Sequence, residues 1–166
     1  MNIGVLAQFF SSLGFREAVW FFPCAFMLHV AEELPRFTAW ANQHASEKYT
    51  FREYLIIHAL GIVTAFLAAM LLQFFPNKIL IFIFFTVMFL PAMFFNSFFH
   101  VGATLFTRSY CPGVFTALIF YPPVVWFITR KALVEGLIGG KFLVLSFIIA
   151  GFFHAAEVSR NVFKVW

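Results

Sequence analysis

The chain has 166 residues, of which 63% are hydrophobic and 11% are charged. A soluble domain carries about 25% charged residues, so this composition excludes a water-exposed surface and predicts a single domain, residues 1–166, surrounded by lipid. The formal charge of +4 does not indicate a nucleic-acid partner, because the 11 Lys and Arg residues are scattered at the ends of apolar runs, where such residues anchor helices at lipid headgroups.

The apolar runs predict an all-α fold, a polytopic transmembrane helix bundle with five spans. The spans are expected at residues 18–34, 51–75, 79–106, 113–130 and 140–160. Thr50 and Glu53 have the spacing of a capping box at the start of the second span. Pro91 predicts a kink in the third span, and Pro122 interrupts the fourth. Residues 37–49 are polar enough for a loop or a short interfacial helix.

An alternative topology has four full spans, because the first apolar run is short enough to be re-entrant. The cations do not orient the chain, since similar numbers fall on the two sides of the membrane. One side has Arg36, Lys48, Arg52, Arg108, Arg160 and Lys164, and the other has Arg16, Lys78, Arg130, Lys131 and Lys141. The oligomeric state is open as well, with a homodimer among the options.

A set of polar side chains lies inside the apolar runs, where ionisable groups are costly and face the interior of a bundle. The set is His29, Glu32, Glu33, His58, Asn96, His100, His154 and Glu157. Counted from the ends of their helices, its histidines fall at one depth, roughly 10 Å below one membrane face at the rise of an α-helix. The sequence therefore predicts that four helices each contribute an imidazole to one buried layer.

The pattern His-x-x-Glu occurs twice, as HVAE in the first span and as HAAE in the last. Positions three and four apart share a helix face, so His29 faces the same way as Glu32 and Glu33. If the first and last helices meet, the two copies form a cage of imidazoles and carboxylates that the middle helices close. Such mixed ligands suit one or two divalent metal ions, Fe, Zn or Mn, and the whole polar set is predicted to bind them.

The HVAEE stretch, together with NSFFH and HAAE further along, resembles the HXXEE family of small, mostly bacterial integral membrane proteins. The resemblance spans most of the chain and implies a multi-pass protein of the bacterial inner membrane. It also implies that histidines and acidic residues, among them His29, Glu32 and Glu33, bind metal. It implies no particular reaction, because none is established for that family.

These residues favour a membrane-embedded metalloenzyme that acts on a membrane lipid or another apolar substrate. A di-iron centre would perform oxidation, whereas a zinc centre would perform hydrolysis with Glu33 or Glu157 as the catalytic base. Two other functions stay open. A proton-coupled transporter would use the His and Glu residues as a relay, and a haem- or quinone-binding protein would use two histidines as axial ligands.

A metal-free interpretation also has to be weighed. The buried acids could pair with the histidines, or with Arg36 and Arg160, which lie one helical turn from the glutamates. Tyr121 precedes Pro122 at a comparable depth, and we expect it to mark only a kink. His44 lies in the polar connection and is expected to be solvated.

Overall fold

The computed structural model describes residues 3–164, which form helices and no strands. The all-α architecture predicted from the sequence is therefore confirmed. The helices in chain order are α1 Ile3–Ser12, α2 Phe15–Ala18, α3 Phe21–Glu33, α4 Phe37–His44, α5 Phe51–Phe74, α6 Lys78–Ile83, a π-helix Phe84–Phe95, α7 Asn96–Thr107, α8 Val114–Ile119, α9 Tyr121–Val134 and α10 Gly140–Asn161.

Four helical segments of the described chain are long and apolar enough to cross a membrane. They are α5, the continuous segment Lys78–Thr107, the α8–α9 segment Val114–Val134, and α10. Their length and composition are those of an integral membrane protein. At the start of α5, the predicted capping box of Thr50 and Glu53 is confirmed, because the Thr50 hydroxyl accepts from Glu53 N and the Glu53 carboxylate accepts from Thr50 N.

The first predicted span does not form one long helix. Pro23 has no N–H to donate to the Val19 carbonyl, which accepts instead from Phe22 N at 3.1 Å, and this tighter turn separates α2 from α3. α3 has 13 residues and rises about 20 Å, short of the roughly 30 Å of a bilayer core. The predicted count of five spans is thus approximate, and the count of four agrees with the alternative topology.

The disturbance predicted at Pro91 takes the form of a π-helix over Phe84–Phe95. A π-helix holds an extra residue in each turn and is commonly found near functional sites. Its buried side chains form much of the core, and α10 packs along it. Gly151 of α10 permits this approach, because a Cβ at that position would lie 3.2 Å from the Phe95 ring.

Two hydrophobic clusters form the core. The larger one contains Phe15, Phe22, Phe85 and Tyr121, from α2, α3, the π-helix and α9. The smaller one surrounds residues 37–49, which are packed by Tyr54 of α5 and Cys111 of the loop after α7. α3 belongs to both clusters, through Ala25 in the larger and Val30 in the smaller, and its polar residues His29 and Glu33 are buried where the two meet.

Candidate metal centre

Glu33 is the centre of a buried polar cluster at the end of α3. Its carboxylate is 3% exposed and faces the ring nitrogens of three histidines. Nε2 of His58 lies 3.2 Å from Glu33 Oε2, and Nε2 of His100 lies 3.2 Å from Oε1. Nε2 of His29, one helical turn away, lies 3.5 Å from Oε1. Three of the four predicted intramembrane histidines therefore meet at one carboxylate.

Three separate helices bring these side chains together. His29 and Glu33 share a face of α3 because they are four positions apart. His58 lies in the second turn of α5, which starts on the same side of the bundle where α3 ends. His100 comes from α7, which returns to that side. The common depth expected from the sequence is the reason that these helices can join at one point.

Each imidazole is held from behind through Nδ1. Nδ1 of His29 lies 2.8 Å from the hydroxyl of Thr116, and Nδ1 of His58 lies 2.8 Å from the carbonyl oxygen of Tyr54. Nδ1 of His100 lies 3.3 Å from the sulfur of Cys111. Metal-binding histidines are typically oriented by such contacts on the nitrogen that does not bind the metal.

The contact behind His58 determines where its proton lies. The carbonyl oxygen of Tyr54 can only accept, so Nδ1 of His58 carries the proton. In a neutral ring, Nε2 then presents a lone pair to Glu33 Oε2 at 3.2 Å. Two lone pairs at that distance repel each other, so the arrangement requires a positive charge, either a second proton on the imidazole or a bound metal ion.

The same reasoning applies to His29. The Thr116 hydroxyl donates to the carbonyl of Gly113 at 3.1 Å, so it accepts the proton on Nδ1 of His29. Nε2 of a neutral His29 is then unprotonated, and the side-chain amide of Asn96 lies 3.1 Å from it. Asn96, another predicted ligand, thus occupies the His29 nitrogen that a metal ion would bind, and its amide would have to be displaced from Nε2 by the ion.

His100 adds a nitrogen without a proper partner. It is 1% exposed, and its Nε2 makes no hydrogen bond of good geometry with any residue in the range 3–164, although Glu33 is close. Ligand atoms of His29, Glu33 and His100 all lie within 4.8 Å of one another. Two imidazoles and one carboxylate at this spacing are a common ligand set for zinc or non-haem iron.

Two tyrosines complete the surroundings. The Tyr54 hydroxyl donates to Glu33 Oε2 at 3.3 Å, and the Tyr121 ring lies 4.7 Å from the His29 ring, centroid to centroid. Tyr121 is fully buried, and its hydroxyl, close to Asn96, forms no well-aligned hydrogen bond in the described chain. Tyr121 was expected to mark a kink, and it also packs against the cluster.

Glu32 lies outside this cluster. Its Oε1 accepts from Gly113 N and Phe115 N, each at 3.1 Å, and its Oε2 accepts from Thr116 N at 2.7 Å. The Tyr110 hydroxyl donates to Oε1 as well. The backbone donors are the free N–H groups at the start of α8, so Glu32 acts as a distant N-cap in which both carboxylate oxygens accept hydrogen bonds. Burial, together with this carboxylate, raises the pKa of Tyr110 to about 12, so Tyr110 stays a donor at neutral pH.

Gly113 brings the loop onto the cluster. A Cβ at this position would lie 2.7 Å from Cε1 of both His29 and His100, and 3.0 Å from Cγ of Glu33. Its φ of 100° also belongs to the left-handed region that favours glycine. Glycine at this position therefore allows the backbone to close over the histidines.

His154 and Glu157 of α10 lie on the wall of an adjacent cavity. This cavity, of about 230 Å³, is lined by His29, Glu33 and His58 as well as by apolar residues of α3, α5 and the π-helix. Both ring nitrogens of His154 are buried without a hydrogen bond in the described part of the chain. Glu157 has no hydrogen-bond or ion-pair partner among residues 3–164.

The quasi-symmetric cage of the two His-x-x-Glu copies is not formed, because α10 packs along the π-helix and reaches α3 only across the cavity. Of the metal-free pairings considered above, the pairing of histidines with Glu33 is present at ion-pair distances, whereas the arginine pairing is not formed. Arg36 and Arg160 make no ion pair with the glutamates in the described range, and Arg160 Nε donates to Asn161 instead. His44, expected to be solvated, lies 3.2 Å from the Ser109 hydroxyl.

Sequence reasoning did not identify Tyr54, Thr116, Cys111 or Gly113 as parts of the site. Gly113 lies in a loop and Thr116 in the short helix α8, and in neither does periodicity indicate which side chains face the core. Their signal in the sequence is the stretch CPG at 111–113, since proline and glycine together mark a turn of fixed shape. Tyr54 lies one turn before His58, and this i, i+4 spacing was available as a hint.

Comparison with known proteins gives a family and no further relatives. No curated protein and no solved structure shows detectable similarity to the chain. A family model described as a protein of unknown function with an HXXEE motif matches residues 20–128. The match covers well over half of the chain and includes every residue that meets at Glu33. The chain therefore belongs to the family of proteins of unknown function with an HXXEE motif.

Proposed function

We propose that this chain is an integral membrane metal-binding protein whose His29, Glu33 and His100 hold one divalent ion, with His58 beside them. The observation that carries the proposal is the set of three Nε2 atoms within 3.5 Å of a single buried carboxylate, on rings whose Nδ1 atoms contact other residues. Buried lone pairs in such an arrangement are costly, and a shared cation removes the cost.

The ligand types support Fe, Zn or Mn. Imidazole suits zinc and iron, carboxylate suits manganese, and the set lacks the clustered thiolates of a soft-metal site. The sequence left one or two ions open, and the geometry supports one. Glu32 is engaged by the start of α8 and Glu157 lies across the cavity, so Glu33 alone is placed to ligate, and a bridged pair of ions would need more carboxylates.

The adjacent cavity supports a role in catalysis on a membrane lipid or another apolar substrate. Phe22, Phe26 and Met88 line it beside the polar cluster, so an apolar chain can lie there with its reactive end near Glu33. A divalent ion bound in the cluster supplies a Lewis acid and an activated water, or a redox centre if it is iron. Oxidoreduction and hydrolysis are thus the reaction classes that we propose.

Residues of α10 have the properties of groups that act on a substrate. Glu157 is an unpaired carboxylate on the cavity wall and, in this proposal, accepts a proton. The unpartnered nitrogens of His154 provide a hydrogen bond that orients the polar end of the substrate. Glu33, surrounded by three imidazoles, holds the ion and is less suited to be the base.

The two alternative functions make different demands on the same residues. In a proton relay, protons rather than a metal ion would lie between Glu33 and the imidazoles. This hypothesis predicts a metal-free protein. The haem reading is not favoured, since the rings of His29 and His100 have centroids 4.7 Å apart and leave no room for a porphyrin between them. For the location, the four spanning helices support a multi-pass membrane protein, and the family resemblance supports the bacterial inner membrane.

Metal analysis of the protein purified in detergent tests the proposal. We expect about one Fe, Zn or Mn per chain in the wild type and a loss of most of it in His29→Ala. His44→Ala is the matched control, because His44 lies in α4 and contacts Ser109 rather than Glu33. Absence of stoichiometric metal from the wild type, also after incubation with each ion, would reject the metal centre and favour the relay.

A further inference from the structure

A second cleft lies between α7 and the α8–α9 segment. Its volume is about 710 Å³, and it shares no lining residue with the cavity of the metal cluster. Phe98 and Val101 of α7 form one wall, Leu118 and Val125 form the other, and Phe147 of α10 also lines it. The cleft is wide and apolar enough for an acyl chain.

The polar groups of this cleft are concentrated at one end, on α9. The Arg130 guanidinium lies 5.2 Å from the centre of the Trp126 ring and has no acidic partner among residues 3–164. The Thr129 hydroxyl oxygen is buried there without a hydrogen bond in the described chain. Tryptophan beside arginine at the end of a spanning helix is typical of the level of lipid headgroups.

The charge around this end is positive. On the same side of the membrane the chain has Arg16, Lys78, Arg130, Lys131 and Lys141, against Glu17 and Glu135. Both of these carboxylates already accept backbone N–H groups, Glu17 from Gly14 at 2.9 Å and Glu135 from Phe15 at 2.5 Å. Lys131 donates to the Ser11 carbonyl, whereas Arg130 remains without such a partner.

From these observations we infer that the cleft binds an acidic phospholipid. One acyl chain lies along Leu118 and Phe98, and the phosphate contacts Arg130. Basic pockets between spanning helices bind acidic headgroups, and arginine forms charge-assisted hydrogen bonds to phosphate. Arg130 follows the first residue of α8 by about 24 Å of helix, so this lipid belongs to the leaflet opposite the metal cluster. The inference does not depend on the proposed function.

A second copy of the chain is the other candidate for covering this cleft. A protein partner would bury the apolar walls but would leave the Arg130 guanidinium without an anion. The phospholipid satisfies both the apolar walls and the cation, and for this reason we favour it.

Lipid retention by the full chain in detergent tests the inference. The delipidated protein is incubated with phosphatidylglycerol or phosphatidylcholine of identical chains, and bound lipid is counted by native mass spectrometry. We expect one phosphatidylglycerol per chain and about a 10-fold preference over phosphatidylcholine, because both lipids carry the phosphate but the choline cation of the second weakens its attraction to Arg130. Arg130→Gln abolishes this preference, and Lys141→Gln, a loss of the same charge on the same side, keeps it.

A second pair of variants tests the acyl chain. Leu118→Trp fills the cleft and lowers retention of both lipids, whereas Leu105→Trp, on an exposed part of α7 outside the cleft, does not. Circular dichroism and thermal unfolding in detergent verify that each variant is folded. Equal binding of the two lipids by the wild type, or the same response in Arg130→Gln and Lys141→Gln, overturns the inference. A wild-type dimer that Leu118→Trp converts to a monomer without changing lipid retention overturns it as well.

Discussion

α3 and α10 carry the same four-residue pattern, HVAE and HAAE, and the structure places the two copies in opposite settings. In α3, His29 is buried and has a partner on both nitrogens. Glu33, which directly follows the four-residue pattern, is surrounded by imidazoles. In α10 neither nitrogen of His154 has a partner in the described chain, and Glu157 faces the cavity. The four-residue pattern therefore only places polar side chains on one face of a helix. The neighbouring helices determine what those side chains contact.

The difference originates in packing. α3 packs against α5 and α8, whereas α10 packs on the π-helix and faces α3 across the cavity. The polar side chains of the α3 copy are held in place by neighbouring residues, as expected of metal ligands. The side chains of the α10 copy have unused hydrogen-bonding capacity, as expected of groups that bind a substrate. Matched substitutions in the two helices can separate these roles.

The largest effect is expected for Glu33→Gln against Glu157→Gln. The first change removes the one carboxylate within reach of three imidazoles, and we expect metal affinity to fall by more than about 100-fold. Glu157→Gln leaves the metal content unchanged, because Glu157 lies across the cavity. Metal titration of both proteins decides this, and equal losses in the two variants would show that α10 ligates too.

Gly113→Ala tests how closely the loop approaches the α3 copy. The new Cβ would overlap the rings of His29 and His100, and its left-handed backbone costs on the order of 1–3 kcal/mol. Metal affinity and thermal stability should both fall. Gly102→Ala is the control, because a Cβ at this helical position meets nothing within 4 Å. Replacing a helical glycine by alanine raises the free energy of unfolding by about 0.5–1 kcal/mol. If Gly113→Ala keeps the metal affinity and thermal stability of the wild type, the close approach of Gly113 to His29 and His100 is contradicted.

Glu32→Gln separates the two adjacent glutamates of the motif. It weakens the cap of α8, and we expect a loss of about 0.5–2 kcal/mol in the free energy of unfolding. The metal content at saturating metal should remain that of the wild type, because Glu32 contacts the start of α8 and not the three histidines. Thermal unfolding in detergent and metal analysis are measured on the same samples. A metal-free Glu32→Gln protein of unchanged stability would assign Glu32 to the ligand set.

The smallest effect is expected for Thr116→Val, which removes the acceptor behind His29 without changing size. Loss of such a contact lowers metal affinity by about 10-fold. Thr86→Val is the control, because the Thr86 hydroxyl donates to Phe82 O of its own segment. The absorption spectrum of the cobalt-substituted protein should shift in Thr116→Val, as the imidazole is reoriented, and stay unchanged in Thr86→Val.

Much of the fold followed from hydropathy and helical spacing, because the long apolar runs and the cap at Thr50 are local features. The meeting of His29, His58 and His100 could be anticipated, since distance from a helix end gives depth. Rotation of a helix about its axis and the path of a loop depend on contacts far apart in sequence. The sequence therefore could not distinguish Glu33 from Glu32, place α10 against the π-helix, or identify Thr116.

The link between Glu32 and Thr116 joins residues 84 positions apart, and the contact of His29 with Thr116 joins residues 87 apart. Synthesis proceeds from the N-terminus at about 5–20 residues per second, so α3 is made several seconds before residue 116. The nascent protein thus has histidines in the membrane without the loop that orients them. We therefore expect the cluster to assemble late in biogenesis, and a chain truncated before residue 116 to have a lower metal affinity because His29 lacks its Nδ1 partner.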